Sequence, residues 1–189
     1  MWSKIAESWR YRKIALFFAV RNLKRMYQGT VLGKIWLFRP VLPVIIGSVI
    51  FGSLMGVPSD GVPYFMFFLT GMAVWMLFEQ SCMWGTRSLD MNKGLLKKVY
   101  FPRLVIPVSG LTPALPYFTI FIILILIATG YYVINTGVLY LRVGGGLLWG
   151  LFAAVMSVVF ALSISLWTSV WCVKARDVRF TMRYLLRFW

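Results

Sequence analysis

The chain has no histidine, two cysteines and only five acidic residues (Glu7, Asp60, Glu79, Asp90 and Asp177) among 189. Without histidine, and with no two carboxylates close in sequence, little is left for hydrolytic chemistry. No His/Cys cluster has metal-ligand spacing, so a resident metal is not expected. Cys82 and Cys172 each fall in an apolar run and read as small buried hydrophobes, not as a disulfide framework. Residues 1–27 carry charges throughout and have no continuous apolar core before a small-residue cleavage site, so they do not read as a signal peptide.

What the chain has in abundance is positive charge and apolar surface. All but one of its 20 lysines and arginines fall in three segments, residues 1–39, 87–103 and 174–187; Arg142 is the exception. A net charge of +15 normally points to a polyanion such as nucleic acid. A hydrophobic content of 60% and a mean hydropathy of +0.80 point to a membrane instead. Both fit if the apolar runs span a bilayer and the basic segments face the cytoplasm, where Lys and Arg accumulate. No nucleic-acid partner is then expected.

Spanning a hydrocarbon core of about 30 Å takes roughly 20 helical residues. Four stretches meet that length, at about residues 35–55, 64–85, 104–134 and 143–173. Backbone groups in lipid must be satisfied internally, so the stretches are expected as helices despite their Val, Ile and Phe content. The joint Gly56-Val57-Pro58-Ser59-Asp60-Gly61-Val62-Pro63 has no basic residue, and Asn135-Thr136-Gly137 is followed only by Arg142; both belong outside. The expected organisation is a cytoplasmic amphipathic helix at the interface in residues 1–34, four spans in residues 35–173, and a cytoplasmic loop in residues 174–189. That last segment, ending Arg183-Tyr184-Leu185-Leu186-Arg187-Phe188-Trp189, reads as the approach to a fifth span. The chain is therefore expected to be a fragment or a truncated product.

Ahead of the first span, Trp2, Ile5, Trp9, Leu16, Val20, Leu23 and Tyr27 recur at spacings near three and four, with Lys4, Lys13, Arg21, Lys24 and Arg25 between them. A basic helix with such a stripe lies in the membrane interface, its charges on anionic headgroups of the membrane lipids. Pro40 and Pro43 fall in the first turns of span one, where a missing N–H costs least. Pro102, Pro107, Pro113 and Pro116 crowd the start of span three and predict a break there. Such a break survives where protein or water satisfies the freed carbonyls.

Three stretches together resemble a known family. The first is Arg21-Asn22-Leu23-Lys24 through Tyr27, then Thr30-Val31-Leu32-Gly33, Trp36 and Pro40. The second is Val57-Pro58-Ser59-Asp60-Gly61-Val62-Pro63-Tyr64, leading to Gly71 and Trp75. The third is Lys98-Val99-Tyr100-Phe101-Pro102-Arg103, with Arg176-Asp177-Val178-Arg179 near the end. In this order and spacing the chain is similar to the type-2 class of ATP-binding-cassette (ABC) permeases that export polysaccharides and polyol phosphates such as O-antigen, capsule and teichoic acid. Gln28-Gly29 and Arg39 depart from the family's usual polar or basic pair and Gln.

The resemblance implies an all-α polytopic fold of six spans, of which four and the start of a fifth are present. It implies a homodimeric permease in the cytoplasmic (inner) membrane with its N-terminus cytoplasmic, bound to two copies of a separate ATPase. ATP and Mg²⁺ are used by that partner, no cofactor is bound by this chain, and the substrate is a lipid-linked glycan. The residues agree independently. Gly29-Thr30-Val31-Leu32-Gly33-Lys34-Ile35 has one residue too few between its glycines for a Walker A loop and no Ser or Thr after the lysine, so ATP chemistry is expected from a partner.

By the same resemblance, residues 90–102 look like the coupling helix that docks the ATPase. Asp90 and Asn92 are polar starters and Pro102 a stop. Leu95, Leu96, Val99, Tyr100 and Phe101 offer an exposed apolar face, while Lys93, Lys97, Lys98 and Arg103 suit an acidic rim. Residues 21–33 resemble the family's cytoplasmic gate helix, with Arg21, Lys24, Arg25 and Tyr27 where a pyrophosphate-linked lipid head would arrive. Contact with that head and ordinary positive-inside anchoring fit these charges equally.

Trp75 and Phe78 are channel candidates because they share a helical face with Glu79, the carboxylate inside a span; packing aromatics fit as well. A mid-bilayer carboxylate costs about 2.5–3.5 kcal/mol and belongs in a wet or protein-lined interior, where it meets passing hydroxyls or sits protonated against a neighbour. Arg176, Asp177 and Arg179 read as an ion-pair cluster at the cytoplasmic rim. The alternatives to a glycan exporter are a lipid or drug exporter of the same class and, in a different class, a membrane-embedded transferase acting on lipid-linked sugars. The transferase would need interfacial carboxylates, for which only Asp90 and Asp177 qualify, and a channel would need polar pore rings that the spans lack apart from Glu79.

Overall fold

The computed structural model describes residues 12–27, 38, 40–96, 105–140, 145–175 and 177–188. Among the described residues every regular element is a helix. In chain order these are α1 (Arg12–Tyr27), α2 (Val41–Gly47), α3 (Tyr64–Met91), α4 (Lys93–Leu96), α5 (Val105–Gly110), α6 (Ala114–Thr136), α7 (Gly145–Lys174) and α8 (Val178–Phe188). A π-helical segment, Ser48–Leu54, continues α2 without a break.

Tyr64–Met91, Val105–Thr136 and Gly145–Lys174 are long and apolar enough to cross a membrane, α5 and α6 together forming the second of these. On α7 the exposed side chains include Leu148, Phe152, Val155, Val159, Phe160 and Trp167, an apolar surface that water would penalise and lipid does not. The chain is accordingly a multi-pass membrane protein. The first expected span is represented by Val41–Leu54, a shorter apolar helix, with residues 35–37 and 39 outside the described set. Pro40 stands at its N-cap, and Pro43 sits in its first turn.

The chain divides into two units, each with its own core. One comprises Thr30–Leu77 and Pro116–Ser157. Its core joins Val44, Met66, Leu69 and Ala73 to Phe121, Ile125 and Ala128. A methyl group at Gly47 would stand 2.7 Å from the Phe68 ring, so glycine there lets the ring lie on the helix backbone. The loop that follows the π segment turns through Gly56, Asp60 and Gly61 at φ of 59°, 49° and 79°, a left-handed run that the turn-rich sequence anticipates.

The other unit comprises Met1–Gly29, Phe78–Leu115 and Val158–Trp189, and it holds most of the basic residues. Two clusters form its core, one of Phe18, Leu89, Val105 and Ile106, the other of Cys82, Met83, Ala161 and Leu186. The break expected among the prolines is present: α5 ends at Gly110, and three turn residues, Leu111 to Pro113, precede α6. Val105, Ile106, Pro107, Ser109 and Gly110 are all buried, so the interruption is shielded by protein. The Ser109 carbonyl accepts bonds from Asn22 Nδ2 at 3.1 Å and Thr112 Oγ1 at 2.9 Å. Side chains thus supply what the broken helix backbone no longer can.

Candidate functional site

α1 reaches the rest of its unit through one face. Ile14, Ala15 and Phe18 pack against Leu89, Val105 and Ile106, and one turn later Asn22 bonds across to Ser109. Residues 14, 15, 18 and 22 lie on a single helical stripe, which explains how one helix makes all these contacts. Leu16, Phe17 and Val20 stay exposed on another face. The helix therefore has an apolar face for protein and another for lipid, with cations between.

Arg21, Lys24 and Arg25 line an open pocket of about 310 Å³ together with Phe17 and Val20. Partial burial and the neighbouring Arg25 both push the Arg21 guanidinium below its ordinary value. Cations are crowded here at a cost, which is the electrostatic condition for attracting an anion. Arg25 also serves as a fastener, since its Nη1 donates to the Met91 carbonyl at 3.3 Å, at the last residue of α3. A cation on a carbonyl at a helix C-terminus also meets the negative end of the helix dipole. Tyr27 closes α1.

Asn22 is the fastener that sequence reasoning missed, although an Asn on a stripe of Ile14, Ala15 and Phe18 is a usable signal. Asn22 is 3% exposed, so its loss leaves buried polar groups without a partner. Replacing it with leucine is expected to lower stability by about 1–3 kcal/mol. Thermal unfolding of the detergent-purified protein measures this, and an unchanged melting temperature would count against the contact.

The C-terminal end of α3 is tied down on several sides. Asp90 pairs with Lys93 at 2.6 Å, and Lys93 Nζ also donates to the Val173 carbonyl, near the end of α7, at 3.3 Å. Asn92, 1% exposed, donates from Nδ2 to the Ser88 carbonyl at 2.8 Å and occupies the turn between α3 and α4. Its Oδ1 is buried with no hydrogen-bond partner among the described residues. α4 follows at once and includes positions 95 and 96. Lys97, Lys98, Tyr100, Phe101 and Arg103 lie outside the described residues, and so does Arg176.

Phe78 and Glu79 are half-buried in this unit; Phe78 packs with the Cys82 and Ala161 cluster and stacks on Phe160 at 5.8 Å. Trp75 is half-buried in the other unit. Asp177 is exposed, and its carbonyl accepts the Thr181 N–H at 2.9 Å, starting α8. Arg179 lies over the Phe180 ring at 5.2 Å.

The helices meet through small residues. Thr86 and Thr168 share a hydrogen bond of 2.8 Å between α3 and α7, and Ser165 Oγ donates to the Ser81 carbonyl at 3.5 Å. A methyl at Gly110 would stand 2.9 Å from Ser88 Cβ. Small side chains of this kind let membrane helices approach closely and bond across the gap.

No protein-family model matches the chain. Over 124 residues it is 31% identical to the O-antigen export system permease protein RfbA of Myxococcus xanthus, an overlap covering 65% of this chain and 47% of that protein. Two proteins of the same name from Klebsiella pneumoniae are each 34% identical over 91 residues, 48% of this chain and 34% of theirs. The matched region therefore spans about half of the Myxococcus relative and less of the others. The likeness is to permeases, on a chain whose helices are long and apolar enough for a bilayer. Over the matched region the chain is similar to O-antigen export permeases.

Proposed function

We propose that this chain forms the membrane-spanning part of a permease subunit that exports a lipid-linked polysaccharide, of O-antigen, capsule or teichoic-acid type, across the cytoplasmic membrane. The identity to an O-antigen export permease over 124 residues carries the reading. Two permease copies pair with two copies of a separate ATPase, where ATP and Mg²⁺ are bound. The three basic segments and the N-terminus lie on the cytoplasmic side, following the accumulation of Lys and Arg on that face.

In this arrangement α1 lies on the inner leaflet as a gate. Its exposed Leu16, Phe17 and Val20 meet lipid, and Arg21 and Lys24 attract the phosphorylated lipid head. α4 and residues 97–103 form the ATPase dock. Asp90, Asn92 and Lys93 hold the base of that dock against α3 and α7. A push from the ATPase is thereby delivered to two spans at once.

The test is complementation. The full chain, expressed with its ATPase in a strain lacking its own permease for the glycan, restores glycan on the cell surface. Surface glycan that stays absent, with both proteins present in the membrane, would sink the reading. Rescue of drug or lipid efflux instead would favour the other exporter class.

A further inference from the structure

We propose that Arg87, Arg179 and Arg183 hold the phosphate of an anionic bilayer phospholipid where α8 packs on α3. The packing places them together. Met182 and Leu186 of α8 join the cluster around Cys82 and Met83 of α3. Arg183 follows Met182 directly, Arg179 is one turn before it, and Arg87 is one turn beyond Met83. Arg87 Nε donates to the Met83 carbonyl at 3.3 Å, and its guanidinium lies 5.2 Å from the Trp84 ring. Arg179 and Arg183 both approach the Phe180 ring, at 5.2 and 6.0 Å. The charges of Arg183 and Arg179 both act on Arg87, so like charges gather here.

Such a cluster calls for an anion. Asp90, the carboxylate one turn further along α3, is taken by Lys93. Arg179 Nε is buried and has no hydrogen-bond partner among the described residues. A buried guanidinium N–H without an acceptor is costly, and guanidinium forks match phosphate oxygens.

The surroundings select a lipid over a free ion. Along α8 the residues Arg179, Arg183 and Arg187 recur every fourth position, forming a stripe beside the packed Met182 and Leu186. Phe180, Tyr184, Leu185 and Phe188 are exposed on the remaining surface. The cations thus sit at the seam between protein and an apolar outer face. A phospholipid fills that seam with its phosphate on the arginines and its chains along the aromatic side. The site differs from the pocket on α1 and does not rest on the identity of the exported substrate.

Native mass spectrometry of the full chain in detergent tests this, with dioctanoyl phosphatidylglycerol as probe and dioctanoyl phosphatidylcholine as the neutral comparison. Phosphatidylglycerol is expected to remain bound, and R179Q/R183Q to lower its bound fraction about tenfold. R183Q alone, at an exposed position that tolerates the change, lowers it about threefold. R179K/R183K, which keeps the charge, retains more binding than the glutamine pair. K174Q removes as much charge as R183Q at an exposed position of α7 and leaves binding unchanged. A loss in K174Q equal to that in R183Q, or displacement of the lipid by millimolar inorganic phosphate, overturns the proposal. So does loss of ATPase association in R179Q/R183Q with lipid binding intact.

Discussion

Leucine at Gly85 prevents the protein from accumulating in a folded form. A Cβ at this position would collide with Ser165 Oγ and Cβ, closer than real side chains approach. Ser165 is fully buried on α7, so it has no solvent to move into. On its other side Gly85 meets Gly110, where even a methyl would stand 3.3 Å from the Gly85 Cα. Gly85 therefore lies at a tight contact of α3 with α5 and α7, and the nearby Thr86–Thr168 bond of 2.8 Å joins α3 and α7 at the neighbouring position. Overpacking costs about 1–3 kcal/mol for each small insertion, so Gly85→Ala lowers the melting temperature and Gly85→Leu exceeds what a domain can absorb. The geometry also supplies a rescue. Ser165→Gly removes the atoms that Gly85→Ala strikes, so the double variant regains most of the lost stability, though Gly85→Leu is not rescued. Fluorescence-detected size exclusion and thermal unfolding in detergent read both effects. A Gly85→Leu protein with the parent's elution and melting behaviour would refute this account of the helix crossing.

The helical class and the proline break could be read before any coordinates, because each rests on a local property. Length and hydropathy identify a bilayer-crossing stretch, and Pro113, which would fall in the interior of an unbroken third span, removes a backbone donor there and disrupts the helix. The docking of α1 was not legible in the same way. Leu16 and Val20 were assigned to the membrane, and they are exposed, but Phe18 and Asn22 find partners 87 residues or a comparable distance away along the chain. Nothing in the helical periodicity of α1 says which of its two apolar faces meets protein. Arg25 and Lys93 show a related limit. Charge patterning placed them at the correct kind of surface but did not show that each is bonded to the end of a span. The arginine stripe of α8 was visible at its four-residue spacing. Read as the approach to a further span, it hid the partner that α3 supplies through Arg87.

On the proposed permease reading, aspartate at Leu96 is expected to release a separate ATPase from this chain. The proposed dock begins where α3 ends, and its base is rigid: Asn92 is fixed to the Ser88 carbonyl, and Lys93 spans Asp90 and the Val173 carbonyl. Position 96 ends α4, four residues beyond Asn92 and next to the apolar and basic run 97–103. In an apolar groove of the ATPase, a carboxylate at this position must be desolvated without a partner, costing about 3 kcal/mol or more. A loss of that size lowers affinity by roughly a hundredfold or more. Leu96→Met keeps the volume and the apolar character and leaves association within a few fold of the parent. Co-purification of tagged permease with the ATPase, at matched membrane levels, separates the two variants. Wild-type recovery of the ATPase with Leu96→Asp would remove α4 from the interface. Because Lys93 and Asn92 remain in place in both variants, a selective loss in Leu96→Asp reports on the contact itself and not on the helix ends that support it.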